Sequence, residues 1–302
     1  MCWHVRRRWP VEIAVVSGKG GTGKTTVAAL LGVYAAPVVM VDADVDAANL
    51  ALLLQPRSVT EEPFYGGQVA RIDPERCQLC GSCEAACRFG AIAGGVVNPV
   101  LCEGCGACYQ VCPAEAVLLE PSLDGYRYGA DGPFGPVVYA ELTVGRGNSG
   151  KLVAAVREQA RAVAERAGIS RIIVDGPPGT GCPVIAAVSR VDLALVVTEP
   201  TKAAFHDLER VLEVVRHFGV PAAICINRWD LHPGYRDAIR EHCRGAGIAV
   251  VGELPTVLEA SRALVADKPL CTLMQTRLAL MCAQMWRRLR ELVATPMSCE
   301  SP

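Results

Sequence analysis

Eight cysteines lie between residues 77 and 112, at a spacing that can hold metal twice over. Cys77, Cys80, Cys83 and Cys87 form a C-x2-C-x2-C-x3-C run, which recurs 25 residues later as Cys102, Cys105, Cys108 and Cys112. A constant offset at all four positions reads as duplication of a short unit. Three thiolates spaced two residues apart can wrap one face of an iron–sulfur cubane, whereas the fourth lies too far along the chain to close the same cluster. Gly81, Gly104, Gly106 and Ala107 are small neighbours that let backbone N–H groups approach sulfur. Structural zinc also takes four thiolates, but two tandem runs at this spacing favour iron–sulfur chemistry. A disulfide scaffold is the poorer reading of the 15 cysteines in this 302-residue chain. Disulfide frameworks belong to short exported chains, and Met1–Pro10 has Arg6, Arg7 and Arg8 with no apolar run behind them.

A second chemistry lies upstream. Residues 18–26 read Gly-Lys-Gly-Gly-Thr-Gly-Lys-Thr-Thr directly after the apolar run Ile13–Val16. This is G-x4-G-K-T in a strand–loop–helix setting, a phosphate-binding loop. Gly18, Gly20, Gly21 and Gly23 free the backbone amides around Thr22 to cradle phosphate, and the helix start adds positive potential. Lys24 is expected to reach the β/γ-phosphates and Thr25 to hold Mg²⁺, with Thr26 as a further phosphate contact. ATP and Mg²⁺ are the implied ligands. A second G-x4-G-K, Gly145–Lys151, continues with Leu152 and lacks the Mg²⁺ hydroxyl; it is expected to start a helix.

The elements that position these residues have an α/β rhythm. Short, almost wholly apolar runs recur at Ile13–Val16, Val38–Val41, Ile172–Val174, Leu193–Val197, Ala222–Ile226 and Ile248–Val251, as strands buried on both faces require. Segments of helical spacing, such as Leu152–Ala167, Ala203–Phe218 and Tyr235–Arg244, alternate with them. The expectation is a parallel sheet with helices on both faces. Met274–Leu292 reads as a closing amphipathic helix, and Ala294–Pro302 as a disordered tail. The rhythm breaks where Gly, Pro and Cys crowd together. The expected division is therefore a discontinuous nucleotide-binding domain over 1–63 and 137–302, with a small inserted α+β domain over 64–136. The Gly- and Pro-rich residues 121–136 would be its return linker. Charge is nearly balanced, 30 Lys+Arg against 31 Asp+Glu. Nothing here asks for nucleic acid, and no stretch has the roughly 18 uninterrupted apolar residues of a membrane span. A soluble, cytoplasmic protein is expected.

The cysteine stretch resembles two-cluster bacterial ferredoxins. That resemblance implies one [4Fe–4S] cluster on Cys77, Cys80, Cys83 and Cys112, and a second on Cys102, Cys105, Cys108 and Cys87. Cys112 is followed by Pro113, as the ferredoxin pattern expects; Cys87 is followed by Arg88, a departure. The loop around Lys19 resembles K-G-G-x-G-K-[ST] of the deviant P-loop ATPases, the family of MinD, ParA, the nitrogenase iron protein and the Mrp-type ATPases. The combination is similar to MinD-superfamily ATPases carrying an inserted two-cluster ferredoxin domain. The resemblance implies a homodimer sandwiching two nucleotides, with Lys19 crossing to the partner's phosphates in the manner of an arginine finger. It implies that Asp44 orients the attacking water and Asp42 supports the Mg²⁺ shell. Asp175-Gly-Pro-Pro-Gly-Thr-Gly looks like a Walker B strand end followed by switch II. Asp175 would then reach Mg²⁺ through water and Gly179 would sense the γ-phosphate. Asn227 and Pro255 stand where this family contacts adenine.

Two functions compete. One is an ATPase whose nucleotide state gates electron transfer through the two clusters to an unidentified redox partner. The nitrogenase iron protein is the analogy, and analogy of fold does not carry function. That protein shares one cluster between subunits; Cys182 has the spacing of one of its ligands, but Thr143 stands at the other. The alternative is an Mrp-type iron–sulfur assembly or carrier ATPase, which would ordinarily show a C-terminal C-x-x-C. None occurs outside 77–112, where Cys2, Cys182, Cys225, Cys243, Cys271, Cys282 and Cys299 are dispersed. A positioning ATPase like MinD would end in a basic membrane-binding helix and would have little use for clusters.

Overall fold

The computed structural model describes residues 10–263, 265–266 and 268–294. Arg6–Arg8, Cys2, Cys299 and most of the expected tail lie outside them. In chain order the strands are β1 (Val11–Ser17), β2 (Val39–Asp42), β3 (Arg57–Ile72), β4 (Ile92–Ala93), β5 (Val96–Val97), β6 (Val117–Gly132), β7 (Gly135–Leu142), β8 (Arg171–Pro178), β9 (Leu193–Thr198), β10 (Ala222–Asn227) and β11 (Ala249–Leu254). The helices are α1 (Lys24–Ala35), α2 (Leu50–Leu54), α3 (Ser82–Ala86), α4 (Ala107–Gln110), α5 (Ser149–Ala167), α6 (Cys182–Val188), α7 (Lys202–His217), α8 (Pro233–Gly245), α9 (Leu258–Ala263), α10 (Pro269–Met274) and α11 (Arg277–Ala294).

Nine strands form one sheet in the order β11-β10-β9-β1-β8-β2-β7-β6-β3. From β11 to β7 the neighbours run parallel, and β6 and β3 extend the sheet antiparallel. The central strands carry apolar residues on both faces, and each face has its own core. Leu30, Leu31, Met40, Cys282 and Trp286 lie on one side, under α1, α2, α10 and α11. Val156, Val174, Leu208 and Ile239 lie on the other, under α5 to α8. Strand order reverses direction at β1, and the crevice beyond the carboxyl ends of β1, β8 and β2 is where such a fold places its ligand.

The segment expected as a return linker is extended instead. Residues 117–132 are β6, paired with β3 over most of its 16 residues, and 135–142 are β7. Glycines and prolines read as linker here sit in a long hairpin, where the register shifts near Tyr65 and Gly67 absorb the irregularity. The hairpin belongs to the main sheet, and the cysteine-bearing residues 73–116 sit at its tip. Between the tip and the ends of β3 and β6 lies a core of four buried residues, Ala70, Ile92, Cys108 and Val117.

Candidate functional site

Both halves of the cysteine repeat fold alike. Positive φ angles occur at Leu79 and Gly104, at Gly81 and Gly106, and at Gly90 and Glu115, each pair 25 residues apart. Gly81 and Gly106 precede the short helices α3 and α4. The Ala91 N–H donates to Cys87 Sγ at 3.3 Å, and the Ala116 N–H donates to Cys112 Sγ, also at 3.3 Å. Duplication has thus preserved an N–H···S bond on each fourth cysteine, and such bonds stabilise thiolate charge. One departure is Gly104. A Cβ there would lie 2.2 Å from the Gln68 carbonyl oxygen, so this half presses on β3, and the Ala70 N–H donates to Cys102 Sγ at 3.4 Å.

The cysteines group across the repeat. Cys77, Cys80, Cys83 and Cys112 line one hollow of about 170 Å³. Cys87, Cys102, Cys105 and Cys108 line a second, tighter one of about 20 Å³, shared with Phe89, Ile92 and Leu119. This is the three-plus-one grouping that the ferredoxin resemblance implies. Among the described residues, no three Cys, His, Asp or Glu side chains converge on a point as a single ion requires. Four thiols around each hollow, with an N–H donor on one sulfur of the first set and on two of the second, fit a polynuclear iron–sulfur group. Cys80 and Cys105 are the exposed members of the two sets.

The other site lies some way off, at the carboxyl edge of the sheet. A cavity of about 880 Å³ is lined by Gly20, Gly21, Gly23, Lys24, Thr25 and Thr26 of the phosphate loop, and also by Asp44, Asn227 and Pro255. Gly23 has φ +90 immediately before α1, and a Cβ on it would strike the Asn227 amide. Asn227 Nδ2 donates to the Thr22 carbonyl at 2.7 Å, and its Oδ1 accepts from the Arg228 N–H. Asn227 thereby ties the loop to β10 and keeps one N–H and one lone pair for a base. Gly18 does not line the cavity; it packs against the Asp207 backbone of α7.

Asp42 and Asp175 are paired in register at the ends of β2 and β8, and both are buried. Burial pushes the Asp42 carboxyl up to about 7, against hydrogen bonds from the Leu50 and Asp44 N–H groups. Burial and the Asp42 charge push Asp175 well above the usual carboxylate range, opposed by the Thr25 hydroxyl and Lys24. Asp175 Oδ1 is buried with no hydrogen-bond partner, as is Thr22 Oγ1. Two close carboxylates beside Thr25, one oxygen unmatched, form a donor set suited to Mg²⁺. Asp44 is also raised by burial, with Lys24 acting the other way.

Lys19 is held within its own chain. Its Nζ lies 2.6 Å from Glu199, which also meets Arg228 at 3.1 Å. Glu199 carries only a weak signal in the sequence, an acidic residue just past the end of β9. Gly179 follows β8 with φ +95, and its N–H donates to the Ser17 carbonyl. Cys182 begins α6 and is exposed. Gly145–Lys151 leads into α5, with Asn148 at the N-cap position but making no side-chain capping bond.

Residues 13–270 match the family described as the CobQ/CobB/MinD/ParA nucleotide binding domain. An uncharacterised protein of Methanocaldococcus jannaschii is 36% identical over 221 residues, covering 72% of this chain and 78% of that protein. The iron-sulfur cluster carrier protein of Pyrococcus horikoshii is 25% identical over 255 residues, covering 82% of this chain and 68% of the carrier. Among solved structures, the septum site-determining protein MinD of Pyrococcus horikoshii, complexed with Mg-ADP, aligns over 94% of this chain and 98% of its own, with TM-score 0.56 and 17% identity. The cell division ATPase MinD of Pyrococcus furiosus aligns over 93% and 99%, with TM-score 0.54 and 19% identity. At these identities the structural likeness speaks to the fold.

Proposed function

The chain belongs to the CobQ/CobB/MinD/ParA nucleotide-binding family and is an ATPase of the MinD/ParA type; from that premise we propose that it couples its nucleotide state to electron transfer through two [4Fe–4S] clusters held at the hairpin tip. Residues 73–116 are the cluster-bearing unit. Cys77, Cys80, Cys83 and Cys112 hold one cluster and Cys87, Cys102, Cys105 and Cys108 the other. Each cluster, when bound, supplies a one-electron redox centre. The observation that carries this reading is the crossed three-plus-one grouping, with N–H donors on the fourth cysteine of each half. Such a site suits resident clusters more than cargo.

In the ATPase, Lys24 neutralises the β/γ-phosphates, while Thr25, Asp42 and Asp175 hold the Mg²⁺ shell. Asp44 lines the same cavity and orients the attacking water. Asn227 and Pro255 border the base. The working form is a homodimer in which Lys19 leaves Glu199 to reach the partner's nucleotide. No described helix is long and apolar enough to cross a membrane.

A second reading is favoured by the similarity to the Pyrococcus iron-sulfur cluster carriers, at 25% identity. Here the clusters, or one of them, would be delivered to other proteins. Anaerobic reconstitution separates the two. Under electron transfer, the dithionite-reduced protein is reoxidised by an acceptor at a nucleotide-dependent rate while its iron content stays constant. Loss of iron to an apo-ferredoxin, with no nucleotide effect on reoxidation, would establish delivery and sink the redox reading.

A further inference from the structure

Residues 143–151 belong to neither site, yet they touch the surroundings of both. Switch II, at the end of β8, runs through Gly179–Gly181 into α6. Helix α6 is fastened to α5 at both ends. At its start, a Cβ on Gly150 would lie 3.2 Å from Cys182 Cβ, so the first turns of α5 and α6 are in contact. At its end, Arg157 of α5, only 4% exposed, donates to the carbonyls of Ala186 and Ser189. The same guanidinium meets buried Glu12 of β1 at 2.6 Å. The helix pair is thus pinned to the sheet at Arg157, and the start of α5 lies about 12 Å up the helix from that pin, at about 1.5 Å per residue.

From the start of α5 and the residues just before it, three side chains reach across to the hairpin and its tip. Asn148 Nδ2 donates at 2.7 Å to Asp124, whose other oxygen accepts from Ser122; Asp124 is 2% exposed. Lys151 Nζ donates to the Gly66 carbonyl at 2.8 Å. Arg146 Nη1 donates to the Pro99 carbonyl at 2.7 Å. Both backbone targets lead directly to the second cysteine set. Pro99 is three residues before Cys102, and Gly66 is two residues before Gln68, the carbonyl on which Gly104 rests. A polar cavity of about 430 Å³ joins the link to this set, lined by Arg146, Asn148, Lys151, Cys102, Glu103 and Gly104 among others. The hollow of the first set is lined only by residues between Ile72 and Val117.

We infer that residues 143–151 are a mechanical link through which switch II sets the geometry of Cys87, Cys102, Cys105 and Cys108, with Arg146, Asn148 and Lys151 as positioning residues, while the Cys77, Cys80, Cys83 and Cys112 set is off the link. Movement of switch II shifts α6, α5 follows about its Arg157 pin, and the two cations move relative to the second set. Cations near a thiolate-bound centre are among the groups that set its potential. The spectroscopic consequence rests on the proposed cluster reading; the mechanical one does not.

The test uses the whole protein, with and without Mg-ATP, in two arms. In amide hydrogen exchange, nucleotide should change the rates of residues 64–70 and 143–151 by about 5-fold or more, the lower end of ordinary allosteric coupling, and leave 77–83 unchanged. These two peptides lie outside the cysteine tip and remain readable in iron-free protein. In the Arg146→Ala/Lys151→Ala variant the change at 64–70 should vanish while nucleotide still protects 18–27. Arg146→Ala alone guards against a folding defect in the double variant. In the second arm, electron paramagnetic resonance of the reduced, iron-loaded protein should show one of two signals moving with nucleotide in the wild type and neither in the variant. An unresponsive 64–70 peptide in the wild type, equal responses in both cysteine sets, or a response that survives in the variants would overturn the link. Failure to load iron would instead overturn the cluster reading and leave the exchange arm to decide.

Discussion

The sheet body and the cysteine tip are held together by different physics. The body buries long side chains on both faces of a sheet, two cores of about thirty residues each, which is the ordinary basis of stability in a chain of this size. The tip, residues 73–116, contributes to a core of only four buried residues. Its two small strands and two short helices cannot offset the ordering of some forty residues by burial alone. On the proposed cluster reading its order comes from ligand binding, as in small metallo-domains. The expectation is that the body holds its shape without its ligand and that the tip does not.

The strongest way to break that contrast is to take the thiolates away. Replacing all eight cysteines with serine, or stripping iron with a chelator, should collapse amide protection across 77–112 toward that of an unstructured chain. The melting of the body and its nucleotide affinity should stay near wild type. Retained protection at the tip would show that packing alone suffices there. The converse perturbation is Lys24→Ala. Hydrolysis should drop by about 10²-fold or more, as for loss of a single charge-stabilising donor, with bound iron and tip protection unchanged. Reduced iron content in this variant would mean that the two regions are not separable.

The body also carries its own local strain, at Asp42 and Asp175. Their raised carboxyls keep protons in the folded state that the unfolded chain releases above the usual 3.8. The folded state then binds more protons, so stability of the metal-free body falls as pH rises from about 4 to about 7. Asp175→Asn should flatten this slope and stabilise the metal-free protein at pH 7.5, measured by urea unfolding in the presence of a chelator. Mg-ATP should raise the melting temperature of the wild type and leave that of this variant unchanged. A slope unchanged from wild type would place the strain elsewhere. The smallest effect is expected at Glu199. Freeing Lys19 and Arg228 by Glu199→Gln removes a partly exposed ion pair of about 1 kcal/mol or less. ATP-dependent self-association, followed by sedimentation, should tighten by about 3-fold if Lys19 must leave this partner. Weakened association would make Glu199 a support for Lys19.

Much of this was written locally. Glycines and threonines of 18–26 dictate a loop with exposed amides wherever it occurs, and the apolar runs of the central strands can be buried only between two layers of helix. The hairpin was not legible, because Gly125, Gly129, Gly132 and Pro133 suit a linker as well as an irregular strand. Pairing with β3 and β7 decides between them, and that pairing is a long-range choice. Glu199 was missed because nothing in its neighbours marks an acid that will face Lys19 from 180 residues away.

The sequence by itself determined the residue chemistry: which residues suit phosphate, which thiols are spaced for an iron–sulfur group, and that the cysteine unit is repeated. These depend on residue type and short spacing, which the backbone cannot undo. Tertiary structure alone decided the neighbours. It set Asp42 beside Asp175 through the register of β2 and β8, so that burial and like charge raise both carboxyls. It paired Lys19 with Glu199, and it ran Gly145–Lys151 between switch II and one cysteine set. Such contacts join residues far apart in the chain, and only closure of the whole sheet brings them within reach.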